Sequence, residues 1–494
     1  MIWIEKILSD LNSLNKDEFL VSDYKTPSGK IHVGALRGVF IHDAVYKALV
    51  KEGKKAEFIY GFDDFDPMKS LPVYLDKEKY EPEMGKPLSS VPSPEKGYES
   101  FAEYYAKDFI EVFEKCGAKP KILWLTEEYK SGKFDTVIKE LLENADAIRK
   151  IYKKVSGSIK EKNWLPISMV CEKCGKIGTT HAYLFENDKV HYECREGYVK
   201  WAKGCGYKGK ASPYKGGAKL PWKVEWAAKW KVYGTDIEGA GKDHSTVGGA
   251  RDIARAIAIK VLKIKEPCNI PYEWFLVEGK KMSTSKGVGA MAREMLDILP
   301  PEVLHFLILR TPPGRAINFK AEGEAIPQLF DDYDKENPGA VLSFRKVVFG
   351  LQMPKIDILG LAEIEKGDKP TKTEKDDLKE RAHYAKIWLK RFAPERYVFK
   401  VLPKIPQEAK KLTAAQKEFL AEIKKIIERE NKITGDELHS EIHNLKIQMR
   451  IDPREAFSAI YLIFLGKDSG PQAGWFLASL DKDFVIKRIN EAIK

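Results

Sequence analysis

Phe-Leu-Val-Ser-Asp at 19–23 is a short apolar run, and Ala-Glu-Phe-Ile-Tyr at 56–60 is a second one. Between them Leu36, Val39, Phe40, Val45, Leu49 and Val50 recur at helical spacing, and the pattern stops at Lys51-Glu52-Gly53. Strand, glycine-containing turn, helix and strand make a βαβ unit, which predicts a parallel sheet. From about Pro67 to Pro94 prolines and turn residues interrupt the rhythm, so this stretch reads as an insertion and not as core. Helical spacing returns over 98–116 and 134–153, and "GTDIEGAGKDHSTVGGARDIARAIAIKVL" restores strand, loop and helix. The expectation is one α/β fold, split by an insertion and then resumed.

Farther on, 353–380 with "KGDKPTKTEKDD" is polar and charged, which predicts a connector or solvated loop. Amphipathic helices follow, for example 414–430 with Phe419, Leu420, Ile423, Ile426 and Ile427 on one face. Pro453 suits the first position of a helix ending near Gly466. The last third therefore reads as all-helical.

Charge narrows the partner. The 494 residues carry 84 Lys+Arg against 73 Asp+Glu, a balance of +11 that fits a polyanion, nucleic acid first. No run approaches the ~18 apolar residues of a membrane span, and the acidic, amphipathic start lacks a signal-peptide core. Six cysteines are too few for a disulfide scaffold, so a cytoplasmic protein with reduced thiols is expected.

The chemistry starts in "DYKTPSGKIHVGAL" (23–36). A loop after a parallel strand delivers ligands to the carboxyl end of the sheet, beside a helix N-terminus that suits phosphate. His32 there can donate a hydrogen bond to a phosphate oxygen gaining charge, and Gly34 lets a flat base lie against the backbone. Alone, His-x-Gly is a chance-level pattern and equally fits an ordinary loop histidine. A second stretch, "VEGKKMSTSKG" (277–287), gives it weight: Lys280, Lys281 and Lys286 beside Ser283, Thr284 and Ser285 can follow the charge of a departing pyrophosphate. One preorganised donor of this kind is worth ~3 kcal/mol of transition-state stabilisation.

His32-Val33-Gly34 resembles the start of the "HIGH" signature, and Lys281-Met282-Ser283-Thr284-Ser285 resembles "KMSKS". In this order they look like a class I aminoacyl-tRNA synthetase. "TPSGKIHVG", "GFDDFDP", "KLPWKVEWAAKW", "GKDH", "KMSTSKG" and "GPQAGWFLASLD" extend the resemblance to the class I lysyl-tRNA synthetases, over about residues 20–490. The resemblance implies a Rossmann-type parallel-sheet catalytic domain that adenylates lysine with ATP and Mg²⁺ and passes the lysyl group to tRNA(Lys). It implies His32 and Lys281 as catalytic phosphate contacts, with Gly34, Ser283 and Ser285 completing the ATP site. Thr26, Trp226, His244 and Tyr272 match positions that line the lysine site; core packing is the competing reading for Trp226 and Tyr272.

The chain also departs from that pattern. Thr284 stands where the second lysine of the usual motif sits, and Lys286 is its nearest substitute. Tyr24 replaces a frequent glycine next to the lysine site, and Ala35 a polar residue of the opening motif. Asp63, Asp64 and Asp66 are read as a structural turn with one carboxylate facing the site.

Cys171-x₂-Cys174, Cys194 and Cys205 place four thiols within 35 residues, the set a tetrahedral zinc needs. His181 and His191 are alternatives to Cys194. The family often holds another metal in the earlier insertion, but here "SPEKGYESFAEY" offers Ser93, Gly97, Tyr98 and Tyr104, none a usual ligand. One zinc is expected, not two. Cys116 and Cys268 read as buried hydrophobes.

The expected division is 1–66, the first half of the catalytic domain; 67–215, an insertion with the zinc knuckle; 216–300, the second half with the KMSTS loop; 301–350, a connecting helical segment; and 351–494, an all-helical anticodon-binding domain. Trp388, Arg391, Arg396, Tyr397 and Trp475 are its candidate RNA contacts. A monomer is expected. Three other readings compete: the same chemistry on glutamate, a non-catalytic tRNA-binding relative, and a simple nucleotidyltransferase. Decayed motifs would favour the second, and the third leaves the cysteines and the helical region without a purpose.

Overall fold

The computed structural model describes residues 2–12, 16–279, 290–354, 356–429 and 433–494. Strands β1 (Glu18–Lys25) and β2 (Lys55–Phe62) pair in parallel over their full length, with Tyr24 opposite Gly61. Between them helix α1 (Leu36–Lys51) buries Leu36, Val39, Phe40, Val45 and Leu49 as the helical spacing predicts, whereas Val50, the sixth position of that pattern, is exposed. On the far side of β2 lies β3 (Lys121–Trp124), also parallel.

The other edge of β1 is taken by a much later part of the chain. Val21 bridges Ile237 in parallel, Ile237 bridges Cys268 in the same sense, and β4 (Ala240–Gly241) pairs with β5 (Pro271–Tyr272). Asp236 accepts a hydrogen bond from the Leu20 amide at 2.9 Å and so helps fix this register. The spatial order is β3-β2-β1-β4-β5, all parallel, and it reverses between β1 and β4. Helix α2 (Trp222–Tyr233) precedes β4, and α3 (Ala250–Lys260) connects β4 to β5.

The material between β3 and α2 is the insertion. Its 134–153 periodicity is realised as two helices, Asp135–Glu143 and Ala145–Ser156, broken where the Asn144 side chain donates to the Glu140 carbonyl at 2.8 Å. A three-stranded antiparallel sheet, Thr180–Glu186, Lys189–Cys194 and Lys208–Ala211, ends its middle strand on Cys194, and Cys171, Cys174 and Cys205 lie in loops outside the strands. The stretch 67–94 is not coreless: Met68, Tyr80, Met84, Leu88 and Val91 bury themselves against Phe101 and Tyr105 of helix Phe101–Lys115. Its prolines hide this small core because its apolar residues follow no single period.

By packing, the chain divides into two units, 1–297 with 301–319 and 298–300 with 320–494. Among its described residues the second unit has helices and no strand. Helix Ala414–Arg429 buries Phe419, Leu420, Ile423 and Ile427 against Leu438, Ile442, Ile460, Phe464 and Phe476. Helix Pro453–Phe464 begins on the capping carboxylate of Asp452, and the chain turns away at Gly466 (φ 68°). The expectation of a loop over 353–380 is corrected. Helix Ile358–Lys366 lies within it, ended by left-handed Gly367, and Thr371 and Glu374 form a capping box that starts Lys372–Arg391. Helix Ile358–Lys366 buries only Ala362, so its hydrophobic signal is weak. Trp388 is core, its indole donating to the Gly323 carbonyl, which removes it from the RNA-facing candidates.

Candidate active site

A cavity of about 520 Å³ opens at the carboxyl ends of β1 and β4, where the strand order reverses and open parallel sheets bind ligands. Thr26, His32, Gly34, Trp226, His244 and Tyr272 all line it, although they span nearly half the chain. Lys281, Ser283 and Ser285, with Thr284 and Lys286, fall at 280–289, outside the described residues. The flanks of that stretch are bonded. Glu278 donates its amide to Phe319, Val33 donates to the Ala290 carbonyl at 3.1 Å, and His32 bridges Met291. His32 itself is extended (φ −74°, ψ 155°) and stands one turn ahead of α1, at the positive end of the helix.

One wall is aromatic. The indoles of Trp226 and Trp230 both donate to Glu238, the latter at 3.0 Å, and the Ser22 hydroxyl adds a third bond at 2.9 Å. His244 sits edge-on to Trp222 at 4.9 Å and to Trp226 at 6.2 Å. The Asp23 carboxylate and the Tyr272 hydroxyl crowd Gly38 of α1, where a Cβ would meet them at 2.5 and 2.8 Å. Burial pushes the Asp23 carboxyl up to about 7, and the buried His42 ring lies 3.7 Å from it.

The opposite wall holds charges, of which the sequence reading named Asp63 and Asp66 but not Lys219, Glu225 or Lys229. Asp63 and Asp66 both line the cavity, and Asp64 turns away to accept the Thr126 amide at 2.8 Å. The expectation of a single carboxylate facing the site is therefore corrected to two. Lys229 of α2 pairs with Asp63 and lies 3.5 Å from Glu225. Lys219 lies 3.0 Å from Asp66 and 2.7 Å from Glu225, and Tyr129 donates to Glu225 at 2.7 Å. Thr26 donates its hydroxyl proton to Asp66 at 2.8 Å. All five charged groups are at most 6 % exposed. Burial lifts Asp63 to about 6 against the pull of Lys229; burial would lift Asp66 too, but Lys219 and Lys69 hold it near 2. Only Glu225 and Lys229, one helical turn apart, could have been paired from sequence.

Tyr24 fits because Gly61 has no side chain. A Cβ on Gly61 would sit 2.3 and 2.4 Å from two ring carbons, and the Lys229 ammonium lies 4.1 Å from the ring centroid.

The four sulfurs of Cys171, Cys174, Cys194 and Cys205 lie within 4.8 Å of one another, with the pairs Cys171–Cys205 at 3.6 Å and Cys174–Cys194 at 3.7 Å. Tetrahedral zinc–thiolate bonds of ~2.3 Å set sulfurs ~3.8 Å apart, so the donor set fits zinc. The Cys205 amide and the Thr179 hydroxyl reach the Cys194 sulfur. His181 and His191 pair instead with Glu161 and Glu186. Among the described residues no other metal-ligand cluster occurs. Where the earlier insertion would need one, Tyr98 and Tyr104 pack edge to face at 4.9 Å. Cys116 is buried, and Cys268 is partly so.

A parallel sheet in the order 3-2-1-4-5, with a histidine-glycine loop at its point of reversal and a helical C-terminal unit, is the architecture of a class I aminoacyl-tRNA synthetase. Residues 1–344 match the family "tRNA synthetases class I (K)", and residues 376–493 match "Anticodon binding domain". The chain belongs to that class I (K) synthetase family. It is 36 % identical to a lysine--tRNA ligase of Methanosarcina barkeri, over 99 % of this chain and 97 % of the relative. It is 33 % identical to one from Thermoplasma volcanium (100 % and 99 %) and 30 % to one from Archaeoglobus fulgidus (100 % of both). Among solved structures, a glutamate tRNA ligase from Elizabethkingia meningosepticum covers 97 % of the chain and is itself 99 % covered. Its TM-score is 0.46 and its identity 14 %, too distant to bear on the substrate.

Proposed function

We propose that the protein is a lysine--tRNA ligase, which joins lysine to tRNA(Lys) at the expense of ATP. The observation that carries this is the convergence of Thr26, Trp226, His244 and Tyr272 with the His32–Gly34 loop on one cavity, in a chain whose full-length relatives bear that name. The lysine carboxylate attacks the α-phosphorus of ATP, giving lysyl-adenylate and pyrophosphate. A hydroxyl of the terminal adenosine of tRNA then attacks the adenylate carbonyl and releases AMP.

His32, at the start of α1, donates a hydrogen bond to phosphate oxygens as they gain charge, and Gly34 leaves room for adenine. Lys281, with Ser283 and Ser285, holds the departing pyrophosphate. Trp226, Tyr272, His244 and Thr26 enclose the amino acid, whose cationic side chain suits an aromatic and acidic wall. Mg²⁺, which the family's reaction implies, would supply charge shielding for the ATP phosphates when bound with the nucleotide. Cys171, Cys174, Cys194 and Cys205 would hold a zinc ion, which would supply structural cross-linking to the insertion. The helical unit reads the anticodon, and the enzyme acts in the cytoplasm as a monomer.

The test is ATP–pyrophosphate exchange with lysine, glutamate and no amino acid, each with and without tRNA. Exchange driven by lysine is the expected result. Exchange driven by glutamate and not by lysine would replace the substrate, and none with any amino acid would leave a tRNA-binding relative.

A further inference from the structure

The cavity wall holds a connected line of side chains whose inner end is Thr26. The Thr26 hydroxyl donates its one proton to Asp66 Oδ2 at 2.8 Å. Asp66 Oδ1 faces Lys219 Nζ at 3.0 Å, and that ammonium also contacts Glu225 at 2.7 Å. Glu225 is fixed in turn by the Tyr129 hydroxyl at 2.7 Å, and Tyr129 accepts the Leu220 amide at 3.3 Å. Lys219 is 3 % exposed and Glu225 fully buried, so water cannot relax the arrangement. Other charged groups face it. Lys69 lines the cavity with Asp66 and favours its ionised form, and Lys229 with its partner Asp63 adjoins Glu225.

A hydroxyl has one proton and two lone pairs. With the proton committed to a carboxylate that Lys219 keeps ionised, Thr26 offers the cavity lone pairs only. Such a group accepts from an N–H donor and has nothing to give a carboxylate or carbonyl. We propose that Asp66 and Lys219 are positioning residues that hold Thr26 as an obligate hydrogen-bond acceptor, so that this part of the cavity selects an ammonium group of the amino-acid substrate. The inference rests on the lysine reading for its substrate but not for its geometry.

Asp66→Asn tests the polarity without changing the shape. With Lys219 facing the amide oxygen, the new NH₂ points at Thr26, donates to its oxygen and turns the hydroxyl proton into the cavity. Exchange assays on the full-length enzyme then compare wild type, Asp66→Asn, Thr26→Val, Thr26→Ser and the double variant Thr26→Val/Asp66→Asn. Asp66→Asn and Thr26→Val should each raise KM for lysine roughly ten- to a hundredfold, the loss expected for a hydrogen bond to a charged group, with a smaller change in kcat. Thr26→Ser should restore KM, and Asp66→Asn should add nothing in the Thr26→Val background. Equal effects of Asp66→Asn in both backgrounds, or a change below twofold, would overturn the proposal.

Inhibition of the exchange by norleucine, which lacks the side-chain ammonium, separates the two possible donors. A loss for lysine alone assigns the ε-ammonium, and an equal loss for both assigns the α-ammonium. Should wild type fail to exchange with lysine, the lysine reading falls while the relay does not. The same cycle is then read with the amino acid that does support exchange, since every amino acid carries an α-ammonium.

Discussion

Tyr24 and Gly61 face each other across β1 and β2, and the contact between them permits a quantitative test. Alanine at 61 would place a Cβ 2.3 Å from one ring carbon of Tyr24 and 2.4 Å from another, more than 1 Å inside ordinary contact. The Leu125 methyl at 3.1 Å blocks retreat on one side, and the Lys229 ammonium lies 4.1 Å from the ring centroid. Overpacking of this kind costs about 1–3 kcal/mol. Tyr24→Ala alone forfeits buried ring surface and a cation–π contact, together about 2–3 kcal/mol. In the double variant the clash is gone and only the Leu125 contact remains, so Gly61→Ala should then cost under about 1 kcal/mol. Urea unfolding of the full-length protein in all four combinations gives the coupling, which should reach about 1 kcal/mol or more. KM for lysine should rise in Gly61→Ala, because the displaced ring lines the cavity. Additivity within about 0.5 kcal/mol, the range typical of independent sites, would refute the packing argument.

His32→Ala should slow adenylate formation about 10²–10³-fold and leave tRNA affinity in a filter-binding assay unchanged, because the lost bond forms to developing charge; parallel loss of both would point to misfolding. Metal analysis should return one zinc per chain, and Cys174→Ala should abolish it and lower the thermal midpoint, whereas two zincs per chain would overturn the one-site expectation. Asp23, pushed up to about 7, keeps a proton that the unfolded chain gives up near pH 4; its contribution to stability is therefore complete below pH 4 and lost as pH rises to 7. The stability of Asp23→Asn relative to wild type should accordingly grow between pH 4 and 7, and a difference independent of pH would show that Asp23 is not the group responsible. Buried His42, lowered to about 4, opposes this trend in both proteins, which is why the comparison is between variants.

The βαβ unit and the resumed α/β pattern were legible because β1, α1 and β2 each follow one period, 3.6 residues for the helix and a short apolar run for each strand. The cavity residues His32, Gly34, Thr26, Trp226, His244 and Tyr272 were legible through motifs, which mark the loops at the end of a parallel sheet. The charged wall was not. Nothing in the pattern around Lys219 tells a buried, doubly paired ammonium from a solvated one, and Asp66 meets it only after the insertion has folded back. The helix Ile358–Lys366 escaped for the opposite reason: it buries too little to leave a periodic trace.

The reversal of strand order has a consequence in time. Val21 on β1 takes its second neighbour from Ile237, roughly 200 residues later in the chain. At about 5–20 residues per second, a ribosome makes that stretch in about 10–40 s. For the later part of that interval β1, α1 and β2 are all made, with one long edge of β1 unpaired and ready to pair wrongly. The insertion and its cysteine knuckle emerge within the same window. The sheet beside the cavity is therefore completed only after the whole insertion has emerged.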